Sequence, residues 1–142
     1  ALAFHKNSYV GRTFIKPTQK ERQSAVHLKL SVLSSVVKGK RLVLIDDSIV
    51  RGTTMASLIR MLKDAGATEV HVRISSPPFL FPCYYGTDVP SNDQLIASSH
   101  TAAEICASIG ADSLGYMKLE DLKQMTGDLP LCKACFDSHY PV

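Results

Sequence analysis

The sequence lacks the features that define several classes of protein. No apolar run approaches the roughly 20 residues that cross a bilayer, and no signal-peptide pattern opens the chain. It has no internal repeat and no low-complexity segment. Basic residues number 16 against 13 acidic ones, an excess too small to favour a nucleic-acid partner. We therefore expect a globular, cytoplasmic protein with no membrane and no nucleic-acid partner.

Cysteine is absent from the first half of the chain and then occurs at four positions, of which the first is Cys83. Without a secretory signal, thiols are expected rather than disulfides. The Cys132-x-x-Cys135 pair has the spacing of ligands to an iron–sulfur cluster or to Zn²⁺. From these residues alone, buried thiols explain the pair equally well. Cys106 falls in a predicted helix and is interpreted as a core thiol.

Apolar periodicity predicts a strand–loop–helix–strand unit over residues 41–75. The run 42–45 is continuously apolar, which is typical of a parallel strand covered on both faces. Apolar residues from Met55 to Ala65 follow at helical spacing, and Gly66 suits the end of that helix. Val70, Val72 and Ile74 then alternate with polar residues, as in a second strand. The pattern predicts an α/β fold with a mostly parallel sheet.

The flanking segments give weaker patterns. Residues 4–17 indicate an extended loop or hairpin, and 19–27 a short helix followed by a strand at 28–32. A helix that continues to Val37 fits the same period, so that alternative stays open. Further along, the sequence predicts an irregular stretch over 76–90, helical segments near 91–97 and 101–109, a strand over 113–117, a helix over 118–126 and an irregular tail.

The clearest chemistry lies in the loop that follows the first predicted strand of the unit. Asp46 and Asp47 stand at the carboxyl end of that strand, where open parallel sheets bind ligands. Two adjacent carboxylates repel each other unless Mg²⁺ or the hydroxyl groups of a ribose compensate them. Beyond Gly52, the N-terminus of a helix with the hydroxyls of Thr53 and Thr54 forms a cradle for a phosphate dianion. The order of acid pair, loop and phosphate cradle along the chain matches the order of groups in a ribose 5-phosphate, from its 3′ hydroxyl to its 5′-phosphate.

Other phosphate-binding loops do not match this run. It lacks the Gly-Lys-Ser/Thr ending of a P-loop and the Gly-x-Gly-x-x-Gly of a dinucleotide-binding turn. Residues 43–54 instead resemble the phosphoribosyl-diphosphate (PRPP) signature of type I phosphoribosyltransferases, and their Ser-Ile-Val-Arg-Gly version is similar to that of the amidophosphoribosyltransferase (glutamine PRPP amidotransferase) family. Agreement extends over residues 6–15, residues 74–78 with Pro82-Cys83, and residues 95–100.

The resemblance covers nearly the whole chain and implies a type I phosphoribosyltransferase fold, an open and mostly parallel sheet flanked by helices. It implies a phosphoribosyltransferase domain over 1–126, with a lid loop near 4–17, and a cysteine-bearing tail over 127–142. The family forms 5-phosphoribosylamine from PRPP and glutamine-derived ammonia, in the first step of purine synthesis. The resemblance therefore predicts a glycosyltransferase with PRPP and ammonia as reactants.

Site residues follow from the same resemblance, position by position. Asp46 and Asp47 would bind Mg²⁺ and the ribose hydroxyls, and the segment with Tyr9, Arg12 and Lys16 resembles the lid that closes over PRPP. One branch of the family holds a [4Fe–4S] cluster whose ligands include a cysteine after proline and a C-terminal Cys-x-x-Cys, which Cys83, Cys132 and Cys135 match. The PRPP-binding set implied by the resemblance is Asp46, Asp47, Ser48, Ile49, Val50, Arg51, Gly52, Thr53 and Thr54.

The sequence also departs from the family. The glutaminase domain, the pyrophosphate loop, a further Mg²⁺ ligand and the first cluster cysteine all lie upstream of the matching region, and this chain begins at Ala1. We therefore expect part of a longer enzyme, homo-oligomeric at full length and inactive as this chain alone. Two alternatives remain: a phosphoribosyltransferase for a free base, against which residues 6–15 and the cysteines argue, and a non-catalytic regulatory module that binds PRPP.

Overall fold

The computed structural model describes residues 2–6, 30–86, 89, 91–127 and 129–141. The strands in these ranges are β1 (Phe4–Lys6), β2 (Leu30–Val32), β3 (Arg41–Asp46), β4 (Glu69–Ile74) and β5 (Ser113–Tyr116). The α-helices are α1 (Ser34–Val37), α2 (Thr53–Asp64), α3 (Ala102–Ile109), α4 (Leu119–Thr126) and α5 (Ala134–Asp137), with 3₁₀ turns at Asn92–Gln94 and Ile96–Ser98. None of the described helices is long and apolar enough to cross a membrane.

A parallel three-stranded sheet in the order β3-β4-β5 organises the fold. The carboxyl ends of its strands are level, because Asp46 pairs with Ile74 and Ile74 pairs with Tyr116. The predicted strand–loop–helix–strand unit is confirmed as β3–α2–β4. A βα crossover of this kind brings the β3–α2 loop to the edge where such sheets bind ligands.

A second, antiparallel pair joins β1 to β2, with Phe4 opposite Val32. The strand predicted at 28–32 is confirmed over Leu30–Val32, and because this strand precedes the short α1, it excludes one helix continuing through to Val37. Residues 28 and 29, and the helix predicted over 19–27, lie outside the described residues.

The hydrophobic core lies between one face of the sheet and helices α2 and α3. Ile59 and Leu62 of α2 and Ile105 of α3 are 1% exposed, and they pack with the fully buried Val70 and Val72 of β4. Complete burial of an aliphatic side chain of this size contributes about 1.5–3 kcal/mol. These contacts fix both helices against the sheet, and with them the loop that enters α2.

Helix α3 has the clearest boundaries of the described helices. The Thr101 hydroxyl accepts the Glu104 N–H at 3.3 Å, and the Glu104 carboxylate accepts the Thr101 N–H at 2.7 Å, which forms a capping box. The helix ends at Gly110, whose φ of +75° is left-handed. The helix predicted at 101–109 is therefore confirmed, and the helical segment predicted near 91–97 is present as the two 3₁₀ turns.

The opposite face of the sheet is open in the described part of the chain. Val43 and Ile45 of β3 are 63% and 72% exposed, so the prediction of cover on both faces is wrong for this strand as described. The apolar run correctly indicated a parallel strand, but it could not indicate which segment covers the second face.

Polar side chains form a ladder across that open face. The Arg41 Nε donates to the Glu69 carboxylate at 2.7 Å, and His71 Nε2 lies 2.8 Å from the same carboxylate. On the other side of the imidazole, Nδ1 is 2.9 Å from the Ser113 hydroxyl, which also accepts from Arg73 at 3.0 Å. The ladder ties the three strands together by side-chain contacts in addition to their backbone bonds.

Candidate functional site

The acid pair lies where β3 ends and its loop begins. The Asp47 N–H donates to Asp46 Oδ1 at 3.0 Å, and the Ser48 hydroxyl donates to Asp47 Oδ1 at 2.9 Å. Burial of the Asp46 carboxyl group, with the negative charge of Asp47 as a smaller cause, raises its pKa, against the lowering effect of the Asp47 N–H. These hydrogen bonds orient the two carboxylates but do not neutralise their negative charge. A cation or hydroxyl donors can therefore bind there.

Helix α2 begins directly after the loop, at Thr53, with Gly52 as its N-cap residue. The glycine has a left-handed φ of +77° and no side chain with which to cap the helix. The first turn carries no acidic residue, so its N–H groups and the helix dipole are left to an external anion. Thr54 is exposed and Thr53 half-buried at this end of the helix. The arrangement can bind a phosphate dianion.

The middle of the loop is attached to the core and to a neighbouring segment. Ile49 is only 3% exposed and belongs to the core cluster. The Val50 carbonyl accepts the Ile96 N–H at 2.9 Å, and the Arg51 guanidinium donates to Gln94 Oε1. The sequence had indicated residues 95–100 only as a matching stretch, and Gln94 was missed because nothing near it in the chain marks a role.

Close packing surrounds the left-handed glycine. A Cβ at Gly52 would lie 3.3 Å from Ile109 Cγ2 and 3.3 Å from Ile96 Cδ1. This is tighter than ordinary van der Waals contact, and the backbone conformation is one that side chains rarely adopt. The left-handed backbone and the packing around it both favour glycine at this position.

The sheet edge beside the loop carries further polar groups. The Ser75 N–H and hydroxyl both donate to the Asp46 carbonyl, at 3.0 and 3.3 Å. Within the described ranges, the buried hydroxyls of Ser76 and Tyr116 have no hydrogen-bond partner. Burial raises the pKa of Tyr116. The structure thus brings residues 46–54 and the ends of β4 and β5 to one edge, while Tyr9, Arg12 and Lys16 lie outside the described residues.

A separate cluster joins the C-terminal tail to the irregular loop after β4. The Cys135 carbonyl accepts the N–H groups of Leu80 and Phe81 at 2.9 and 3.1 Å, and the Tyr140 hydroxyl donates to the Pro82 carbonyl at 2.7 Å. The tail was predicted to be irregular, but Ala134–Asp137 forms the short helix α5, since docking against this loop supplies the order that local sequence does not. Ring contacts between Phe79 and Phe136 and between Tyr84 and Tyr140 complete the attachment.

Three of the cysteines lie on the two segments that this cluster joins, Cys83 on the loop and Cys132 and Cys135 on the tail. Burial, with smaller contributions from the negative charges of the Cys83 and Cys132 thiolates, raises the pKa of Cys135. In the described part of the chain, however, no group of three or more His, Cys, Asp or Glu residues has the arrangement of a metal site. Cys106 stands apart, and its thiol donates to the Ala111 carbonyl at 3.3 Å.

Comparison with known proteins identifies relatives of this chain. The phosphoribosyl transferase domain family matches residues 6–75. The amidophosphoribosyltransferase of Methanocaldococcus jannaschii is 54% identical over 136 residues, which are 96% of this chain and 29% of that protein. That of Bacillus subtilis is 51% identical over 146 residues, covering 99% of this chain and 31% of its own length.

A solved structure agrees with the sequence relatives. Glutamine PRPP amidotransferase from B. subtilis, complexed with ADP and GMP, matches with a TM-score of 0.82 and 51% identity, over 99% of this chain and 32% of that one. A structure described as the allosteric regulatory enzyme of purine biosynthesis matches with the same TM-score of 0.82. The chain spans about three tenths of the length of the curated relatives it matches.

Proposed function

Because the chain belongs to the amidophosphoribosyltransferase family and has the type I phosphoribosyltransferase fold, we propose that it binds PRPP and presents it for attack by glutamine-derived ammonia. The observation that carries the proposal is a single loop with an acid pair at one end, half-buried Asp46 and exposed Asp47, and an uncapped helix N-terminus at the other. A ribose 5-phosphate needs acceptors for its hydroxyl hydrogen bonds, which the acid pair provides at one end, and a binding site for its phosphate, which the helix N-terminus provides at the other. The activity belongs to the full-length enzyme, and this chain alone would be inactive.

The acid pair would hold the ribose hydroxyls and Mg²⁺. Asp46 and Asp47 fit a divalent cation because both are carboxylates, and the pKa of Asp46 is raised by burial and by its neighbour's charge. When bound, Mg²⁺ would supply charge stabilisation for the departing pyrophosphate. The carboxylates themselves orient the ribose, so that C1 faces the nitrogen donor in a fixed position.

The reaction exchanges one bond at C1 of the ribose for another. The nitrogen of ammonia forms a bond to C1 while the bond from C1 to the pyrophosphate oxygen breaks and its electron pair leaves with pyrophosphate. The ammonium formed then loses a proton. Tyr9, Arg12 and Lys16 would form the lid that excludes water from this electrophilic carbon. The phosphate cradle from Ser48 to Thr54 holds the 5′ end throughout.

The same cradle would accept a nucleoside 5′-monophosphate, because that molecule carries the same ribose 5-phosphate group. Such a ligand and PRPP would therefore compete for the loop. We place the enzyme in the cytosol, where its cysteines would stay reduced, and we propose a homo-oligomer at full length. Residues 1–126 would form the phosphoribosyltransferase part and 127–142 a tail.

Cys83, Cys132 and Cys135 would hold a [4Fe–4S] cluster with a fourth cysteine from elsewhere in the full-length enzyme. The three cysteines supply the thiolate chemistry that such a cluster needs, whereas their arrangement in the described residues is not that of a metal site. When bound, the cluster would pin the tail to the loop, in a structural role. Zn²⁺ is the alternative occupant. Iron and sulfide analysis of anaerobically purified enzyme decides between them, and the absence of iron and sulfide would exclude the cluster.

Paired substitutions test the loop in the full-length enzyme. Replacing Thr53 and Thr54 by valine should weaken PRPP binding by about 1–3 kcal/mol, because the phosphate loses hydroxyl donors. Thr68→Val makes the same change at an exposed threonine between α2 and β4 and should leave affinity unaltered. Equal PRPP affinity of the double variant and the control in a calorimetric titration would contradict the phosphate cradle.

The acid pair has its own test. Asn at both positions 46 and 47 should abolish most turnover with either ammonia or glutamine, because both nitrogen donors need the same oriented ribose. Near-normal rates with both donors would refute the assignment. Loss of the glutamine-dependent rate alone would also refute it, since that result indicates a defect in ammonia supply instead of PRPP binding.

A further inference from the structure

The contacts of the phosphate-binding loop point to a positioning residue that lies outside it. We propose that Gln94 sets the conformation of the loop that receives the 5′-phosphate, acting through the side chain of Arg51. The proposal rests on the proposed function of the loop, and it adds a residue from a different segment of the chain. Gln94 would not touch the phosphate itself.

Two hydrogen bonds join the loop to the segment of the 3₁₀ turns. The Arg51 guanidinium donates to Gln94 Oε1, in a contact between half-buried residues 43 positions apart. One residue earlier in the loop, the Val50 carbonyl accepts the Ile96 N–H at 2.9 Å. Adjacent residues of the loop are therefore attached to alternate residues of one segment. The backbone bond fixes one point, and the bond between Arg51 and Gln94 fixes the direction in which the loop continues.

The segment that holds the loop is itself firmly placed. Leu95, between the two contacts, is 2% exposed, and Ile96 packs against the core cluster. The Ser98 hydroxyl donates to the Leu95 carbonyl at 2.7 Å, within the second 3₁₀ turn. Residues 48–52, by contrast, belong to no helix or strand. Ile49 is held in the core, and the residues of the loop beyond it, 50–52, take their shape from the segment of Gln94.

The consequence falls on Gly52, the residue after Arg51. It has a left-handed conformation at the N-terminus of α2, and the space around it is closed by Ile96 and Ile109. With Arg51 tied to Gln94, the chain enters Gly52 in one conformation and the phosphate cradle is formed before the ligand arrives. Without the tie, part of the binding free energy must order the loop.

The full-length enzyme with ammonia as the nitrogen donor provides the test, because glutamine hydrolysis is then bypassed. Gln94→Met keeps the length of the side chain and removes the acceptor oxygen. We expect the KM for PRPP to rise roughly 5- to 30-fold, the effect of losing a hydrogen bond to a charged group with partial compensation. The kcat should change little, since the 5′-phosphate is bound alike in the ground state and the transition state.

Two further variants separate positioning from general stability. Gln94→Glu keeps an acceptor oxygen at the same reach and should restore the KM to within about threefold of the wild-type value. Gln124→Met makes the methionine substitution at an exposed glutamine of α4 and should leave both constants unaltered. If Gln94→Met does not fold, Gln94→Asn takes its place in the test. Asparagine keeps the amide but is one methylene shorter, so we expect the same rise in the KM for PRPP.

The outcomes distinguish this inference from the proposed function. If the wild-type enzyme shows no saturation by PRPP, the proposed function is wrong. A wild-type enzyme that saturates normally, together with an unchanged KM in Gln94→Met, overturns the role of Gln94 alone. A fall in thermal stability with an unchanged KM overturns it as well, because the residue would then stabilise the fold without shaping the loop.

Discussion

Replacing Gly52 by alanine measures how much the left-handed turn before α2 contributes to ligand binding. The substitution adds one methyl group at a φ of +77°, between Ile96 and Ile109. Gly110 offers a matched control, because its φ of +75° is nearly the same and no atom lies within 4 Å of the added Cβ. Both variants carry the backbone cost, and only Gly52→Ala adds crowding and disturbs the loop.

The magnitude follows from two contributions. A left-handed conformation costs an L-residue roughly 1–2 kcal/mol. For folding, alanine recovers about 0.4–1 kcal/mol of this, because it restricts the unfolded chain more than glycine does. For binding there is no such recovery, because both states are folded. If Gly52→Ala relaxes the loop to another conformation, PRPP must restore it at about 1–2 kcal/mol, which is roughly a 5- to 30-fold loss of affinity.

Steady-state kinetics with PRPP and ammonia, together with thermal unfolding of the same full-length samples, provide the assay. Gly110→Ala should lower the unfolding midpoint and leave the KM for PRPP unchanged. Gly52→Ala should lower the midpoint by at least as much and raise the KM. Equal KM values in the two variants would refute the argument that the Gly52 turn forms the phosphate cradle.

Two carboxylates give pH-dependent predictions of opposite sign. Because the pKa of Asp46 is raised in the folded protein, ionisation of this carboxyl group lowers the free energy of unfolding at neutral pH. This destabilisation is absent at pH values below the ordinary pKa of 3.8, and it develops as the pH rises through the raised pKa. Asp46→Asn should therefore raise the unfolding midpoint at pH 7 while turnover falls, and a lowered midpoint would contradict this reasoning. The Val70 N–H, 2.7 Å away, and then Lys63 lower the pKa of Asp112. Its stabilisation is present above its ordinary value of 3.8 and is lost as the pH falls through the lowered pKa. Asp112→Asn should cost about 1 kcal/mol at pH 7, modest because the pair is partly exposed, and should flatten the acid limb of a melting profile; an unchanged acid limb would contradict it.

The β3–α2–β4 unit could be predicted from the sequence because each of its parts is specified locally. The apolar run of β3, the helical spacing from Met55 onward and the alternation in β4 each satisfy one period over a sufficient length. Gly52 was also predictable, since few residues other than glycine adopt its backbone angles.

Long-range contacts could not be predicted in this way. The bond between Arg51 and Gln94 joins positions 43 apart, and no local pattern marks Gln94 as the partner of Arg51. Helix α5 is a single turn of four residues without a side-chain cap, so its order comes from contacts with the loop after β4. The exposure of Val43 was missed for a similar reason: an apolar run indicates that a strand can be buried, and only the partner decides whether it is.

The open face of β3 has a practical consequence for the polypeptide when it is made by itself. In the described part of the chain β3 pairs on one side only, with β4, and presents Val43 and Ile45 to solvent. An unpaired edge flanked by exposed β-branched residues is a template for intermolecular strand addition. A polypeptide of this sequence would therefore aggregate at lower concentrations than a variant with charged substitutions at positions 43 and 45.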